Sequence, residues 1–161
     1  MSTEVITERR TAAAEGDIVV FHIGMRINKW RAVRSWLPVF RAMPPMLREL
    51  SRDKESGLLG YRLLFGGPRL PYIVQYWESK EKLLAYAMDA GKAHRPAWTA
   101  YNRSARNAGG AVGIWHETYL VPEGRYENVY VNMPEFGLGA AYGTQPVGRR
   151  GDRAADRLKA A

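Results

Sequence analysis

The side chains able to do chemistry at neutral pH are few. There are three histidines, His22, His94 and His116, and no cysteine. An imidazole titrates near neutrality, so each histidine is a candidate base or orienting group. None of the close spacings of a metal site is present. The lack of cysteine removes disulfides, thiolate zinc sites, iron–sulfur clusters and cysteine nucleophiles. His22 and His116 each sit in a run that predicts a β-strand. If those strands are neighbours and both imidazoles point into a cavity, they can serve a phenolic substrate as base and orienter. The plainer alternative is two histidines satisfied at an interface or by backbone groups. Arg26 shares a face with His22 by parity and offers a planar donor fork for a carboxylate or developing enolate. Glu117 follows His116 directly and must point to the opposite face, so those two are not a dyad.

His94 lies between Gly91, which ends one helical pattern, and Pro96, which suits the first turn of another. Trp77, Trp98 and Tyr101 flank that junction and are candidate walls of a substrate pocket, each carrying a polar tip. No GxGxxG after a strand, no GxxxxGK[ST] and no GxSxG occurs, so a nucleotide or flavin site has no support.

The elements that must position these residues follow from periodicity. Val19, Phe21, Ile23, Met25 and Ile27 alternate with Val20, His22, Gly24 and Arg26, which predicts a strand with one apolar and one mixed face. Apolar residues recur at helical spacing from Trp30 to Leu50, interrupted by Pro38 and Pro44-Pro45. This predicts a segmented helix restarted near Pro45. Leu58 to Phe65 and Tyr72 to Trp77 read as a hairpin across a glycine- and proline-rich turn. Ser79 is a good N-cap for the next helix, Val112 to Val121 is a strand, and Tyr126 to Asn132 predicts a fifth. The order strand, helix, strand, strand, helix, strand is the ferredoxin-like βαββαβ pattern with sheet order 4-1-3-2. Its fold class is α+β, with one added strand. Helices cover one face of such a sheet. The mixed face implies that a second subunit covers the other, which makes a homodimer. Residues 1–16 read as a flexible arm, 17–135 as the domain and 136–161 as a loosely ordered tail.

Charge and hydropathy narrow the class. The net charge is +8, which invites a nucleic-acid reading. The basic residues are nevertheless spread over every face of the first helix and through the tail, without exposed interleaved aromatics, so no nucleic-acid partner is expected. No apolar run is long enough to span a membrane. The first sixteen residues lack the apolar core of a secretory signal, and a cytoplasmic location is the expectation.

The stretch YIVQYWESKEKLLAYAMDAGKAHRPAW (72–98) resembles antibiotic-biosynthesis-type monooxygenases of the dimeric α+β barrel superfamily. FHIGMRINKW (21–30), the proline-rich helix and SGLLGYR (56–62) resemble a narrower monooxygenase-like group, once a domain of unknown function, with members in fungal secondary metabolism. The resemblance implies a small oxidoreductase of secondary or catabolic metabolism that inserts molecular oxygen into an apolar or aromatic substrate, with no cofactor. His22 or His116 would be the base, Arg26 the anion stabiliser, and Trp77, Trp98 and Tyr101 the substrate walls. Two alternatives stay open. One is a haem enzyme of dehydratase or peroxidase type with His94 as axial ligand. The other is a non-catalytic ligand-binding or dimerisation module.

Overall fold

The strand at Ile18–Ile27, β2, is the centre of the architecture, because its alternation gives it two faces to bury and two edges to pair. β5 (Val112–Val121) runs antiparallel along one edge, pairing every residue from Ile18 with Val121 to Ile27 with Val112. β4 (Pro71–Trp77) runs antiparallel along the other, and β3 (Leu58–Phe65) pairs with β4 outside it. The sheet order is therefore β3-β4-β2-β5, the order expected from the sequence pattern. The computed structural model describes residues 4–89, 109–149 and 151–158.

Helices α1 (Val33–Arg52) and α2 (Lys80–Met88) complete the ferredoxin-like sequence of elements. Ser79 caps α2, its Oγ accepting from the Lys82 N–H at 3.2 Å. Gly57 turns the chain into β3 with φ of 79°, a left-handed value that favours glycine. Two clusters join the helices to the same side of the sheet. Val19, Leu50, Trp77 and Leu83 pack together near α2. Met25, Ile27 and Val112 pack against Trp36 and Val39 of α1. Removing these side chains from water supplies the main drive for docking the helices.

α1 departs from expectation. It runs unbroken from Val33 to Arg52 through Pro38, Pro44 and Pro45, where a break and restart were expected. Each proline removes one helical N–H donor, but the helix is held at both ends, by Trp36 and Val39 on one side and Leu47 and Leu50 on the other.

The chain ends also differ from a compositional reading. β1 (Arg10–Ala12) pairs antiparallel with β6 (Thr144–Pro146) in a separate two-stranded sheet. Residues 126–132 form no ladder; Tyr130 and Met133 only bridge to Arg10 and Ile6. The added β-structure thus comes from the two termini. α3 (Leu138–Tyr142) precedes β6, and Leu138 packs with Ala12, Ala14 and Ile18 against Val20, Tyr76 and Tyr130. This layer covers one end of the sheet face that the helices leave open. A last short helix, α4 (Ala154–Arg157), ends on a buried arginine. Its guanidinium donates to Glu127 Oε2 at 2.9 and 3.0 Å and to the carbonyls of Gly151 and Asp152.

Candidate active site

α1 touches the sheet at its two ends and stands away from it between them. The result is a cavity of about 650 Å³, within the usual range for small-molecule sites. Phe40, Met43 and Met46 wall it from the helix, and Ile73, Ile114 and Leu63 from the sheet. Pro38 and Pro44 are part of the same wall. Methionine and proline suit such a wall, since neither carries a donor that the apolar interior would strand. Among the described residues, the polar ones that line the cavity are Ser35, Arg48, Ser51, Arg52, Tyr61 and Tyr72, and the Tyr72 ring belongs to the opposite face of the sheet.

Register decides which sequence candidates can reach this space. His116 lies opposite Ile23, and His22 opposite Glu117. The two histidines are therefore on opposite faces and cannot act as one base-and-orienter pair, because directly paired residues share a face and neighbours in a strand do not. His116 belongs to the helix-covered side, its ring 5.9 Å from that of Phe21. It is not itself among the residues lining the cavity. Ile23, opposite it, and Ile114, two residues earlier on the same face, both are.

His22 belongs to the open face, with Glu117 as its cross-strand neighbour at 3.9 Å between Nδ1 and Oε2. Tyr119 Oη donates to the same carboxylate oxygen at 2.7 Å. That bond, and the charge behind it, hold the phenol protonated beyond its ordinary range. Tyr119 also presents its ring edge to His22 at 5.5 Å. Gly24 makes room for the rest of the group. A Cβ there would meet Tyr72 Cβ at 2.6 Å and Trp115 Nε1 at 2.7 Å, so glycine lets those two rings close over β2. The Trp115 indole N–H is buried without a hydrogen-bond partner. Arg26, expected beside His22, is on this face too but exposed at the far end of β2, opposite Gly113.

Trp77 is a core residue and not a pocket wall. It is fully buried between α1 and α2, and its indole N–H donates to Gln75 Oε1 at 2.9 Å. His94, Trp98 and Tyr101 lie outside the described residues. No histidine is among the residues lining the cavity, so the described residues offer haem iron no imidazole there and do not fit that group. Among them there is also no cluster of His, Asp and Glu able to hold a metal ion.

The residues that sequence reasoning passed over are of two kinds. Phe40 and Met43 have ordinary core spacing, and only the prolines among them signal a helix unable to seat closely. Trp115, Glu117 and Tyr119 share a parity that was legible, but their meeting with His22 depends on strand register.

Comparison with known proteins gives the chain its relatives. A family model described as monooxygenase af470-like matches residues 18–138. Monooxygenase af470 of Aspergillus fumigatus is 30% identical over 141 residues, covering 78% of this chain and 46% of that protein. The chain thus spans less than half the length of that curated relative. Among solved structures, SnoaB, a cofactor-independent oxygenase from Streptomyces nogalater, is 10% identical with a TM-score of 0.41, over 64% of this chain and 91% of SnoaB. A dimeric ferredoxin-like protein of unknown function from Jannaschia sp. CCS1 is 19% identical with a TM-score of 0.42, over 62% and 97% of the two chains. The match across β2, both main helices and β5 places this chain in the monooxygenase af470-like family.

Proposed function

We propose that the protein is a cofactor-independent monooxygenase of secondary or catabolic metabolism that oxidises an apolar or aromatic molecule held between α1 and the sheet. The apolar cavity of about 650 Å³ carries this reading, together with membership of the family. A phenol bearing an activated methylene needs little from such a site. A base removes the phenolic proton, and the phenolate passes one electron to dioxygen. The two radicals recombine to form a C–O bond, and the peroxide loses water. One oxygen atom stays as a carbonyl and the other leaves in that water. A dry cavity favours the sequence by keeping bulk water from the intermediates. His116 lies on the cavity's side of the sheet but outside its lining, so in this scheme it takes the phenolic proton through a bridging water.

The second part of the proposal is a homodimer formed through the open face. Tyr119 at its β5 edge is 46% exposed, and no described element covers the patch of His22, Tyr72, Trp115 and Glu117. Burial against a second sheet would cover the apolar area and desolvate the His22–Glu117 pair. His22 and Arg26 are then interface residues and not catalytic ones. No helix among the described residues is long and apolar enough to cross a membrane, and a cytoplasmic location completes the proposal.

Dioxygen uptake tests the enzyme. A panel of phenols with benzylic methylenes should give uptake and a product heavier by one oxygen less two hydrogens, labelled by ¹⁸O₂. Met43→Trp, which fills the cavity, and His116→Ala should abolish uptake, while His22→Ala should retain it. Uptake unaffected by Met43→Trp would refute the assignment of the cavity. Sedimentation should show a dimer that Tyr119→Arg dissociates; a wild-type monomer at micromolar concentration would refute the interface.

A further inference from the structure

The cavity is apolar except at its rim, where two cations meet. Arg48 and Arg52 both line it and are both exposed. They are four residues apart on α1, so they are neighbours on one face. Neither has a carboxylate within ion-pair distance among the described residues. Two like charges at this spacing work against the helix. The helix C-terminus, with its partial negative charge, offsets this for Arg52 in the last turn, but it accounts neither for the pair nor for its place at a cavity mouth. Arg34 and Arg41 continue the same line along the exposed side of α1, at seven-residue intervals from Arg48, yet neither lines the cavity. Only the pair at the rim combines a guanidinium fork with an apolar chamber.

We infer that Arg48 and Arg52 receive an oxyanion head group, so that the substrate is an amphipathic acid whose apolar body enters the cavity while its head stays at the rim. The inference rests on the cavity being the substrate site. A carboxylate or phosphate matches the planar donor fork of arginine, and among the described lining residues no other side chain is positively charged; the Ser51 hydroxyl donates to the Leu47 carbonyl at 2.7 Å. Fixing the head fixes the depth and direction of the body. It therefore determines which carbon of a long apolar substrate lies deepest in the chamber, and an uncharged analogue would lose that register.

Two fluorescent probes with the same aromatic body separate the contributions. 8-Anilinonaphthalene-1-sulfonate carries an oxyanion, and N-phenyl-1-naphthylamine does not. Arg48→Gln and Arg52→Gln should each weaken the sulfonate by about three- to tenfold, as expected for a partly exposed charge-assisted bond, and leave the neutral probe unchanged. Added salt should weaken the sulfonate alone. Arg34→Gln and Arg41→Gln should change neither probe. Displacement of the sulfonate by 1-naphthoate or by 1-naphthyl phosphate then identifies the head as carboxylate or phosphate. Equal loss for both probes, or equal effects at Arg34 and Arg41, would overturn the inference. If the neutral probe binds wild type and Met43→Trp alike, the cavity assignment fails instead.

Discussion

Asn128 is a sharp test of whether the arm belongs to the folded body. Its Oδ1 accepts the backbone N–H of Ala12 at 2.7 Å and the hydroxyl of Thr11 at 3.2 Å. Ala12 and Thr11 are only 1% and 2% exposed, so water cannot take over either bond while the arm stays docked. Asn128→Ala leaves a buried amide donor unsatisfied, at about 1–3 kcal/mol, and removes a second bond worth about 0.5–1.5 kcal/mol. A total near 3 kcal/mol should lower Tm by about 6–12 °C for a chain of this size. Asn128→Asp keeps an acceptor for both donors and should recover most of the loss at neutral pH. Calorimetry of the three proteins reads the difference directly. A wild-type Tm in Asn128→Ala, or an Asp variant as damaged as the Ala variant, would show that the arm contributes nothing through this contact.

Three further outcomes follow from the structure. Gly24→Ala should destabilise by about 1–2 kcal/mol in urea titration, since overpacking against Tyr72 and Trp115 outweighs the entropy gained in the unfolded chain; an unchanged midpoint would mean those rings move freely. Arg157→Ala should cost about 1–2 kcal/mol by removing the bonds that its buried guanidinium makes to Glu127 and two backbone carbonyls, whereas a merely loose tail would lose almost nothing. Burial, with Glu49 adding to it, pushes the Tyr86 phenol up from 10.0 to about 12. Its folded-state proton is held more tightly than in the unfolded chain, so the stability it contributes is present below pH 10 and lost as pH rises toward about 12. Tyr86→Phe should flatten that alkaline decline in denaturation midpoints, and an identical slope in both proteins would count against the assignment.

The sheet was legible because β2 alternates over ten residues and the hairpin is punctuated by Gly66, Gly67 and Pro68. Parity also separated His116 from Glu117 correctly. It could not say which of them meets His22, because parity is internal to a strand and pairing between strands needs the register. A shift of one residue exchanges the two. The termini were illegible for another reason. Ala12 and Ala14 are buried at 1% and 0%, but such small side chains add little to any hydrophobic period, and their docking depends on the distant Asn128. The cavity was illegible because it is space. The prolines announced an irregular helix, and only the backbone reveals that the irregular stretch stands over a void instead of breaking.

The mounting of α1 has a kinetic consequence. Its middle, from Pro38 to Pro45, is a span between two anchored piers, short of three backbone donors and resting on no filled core. A local opening there would sacrifice few apolar contacts, so its free energy falls well below that of global unfolding. Amide exchange should accordingly be faster in this span than in β2. The wall can therefore yield to guests of different girth that enter at the rim between Arg48 and Arg52.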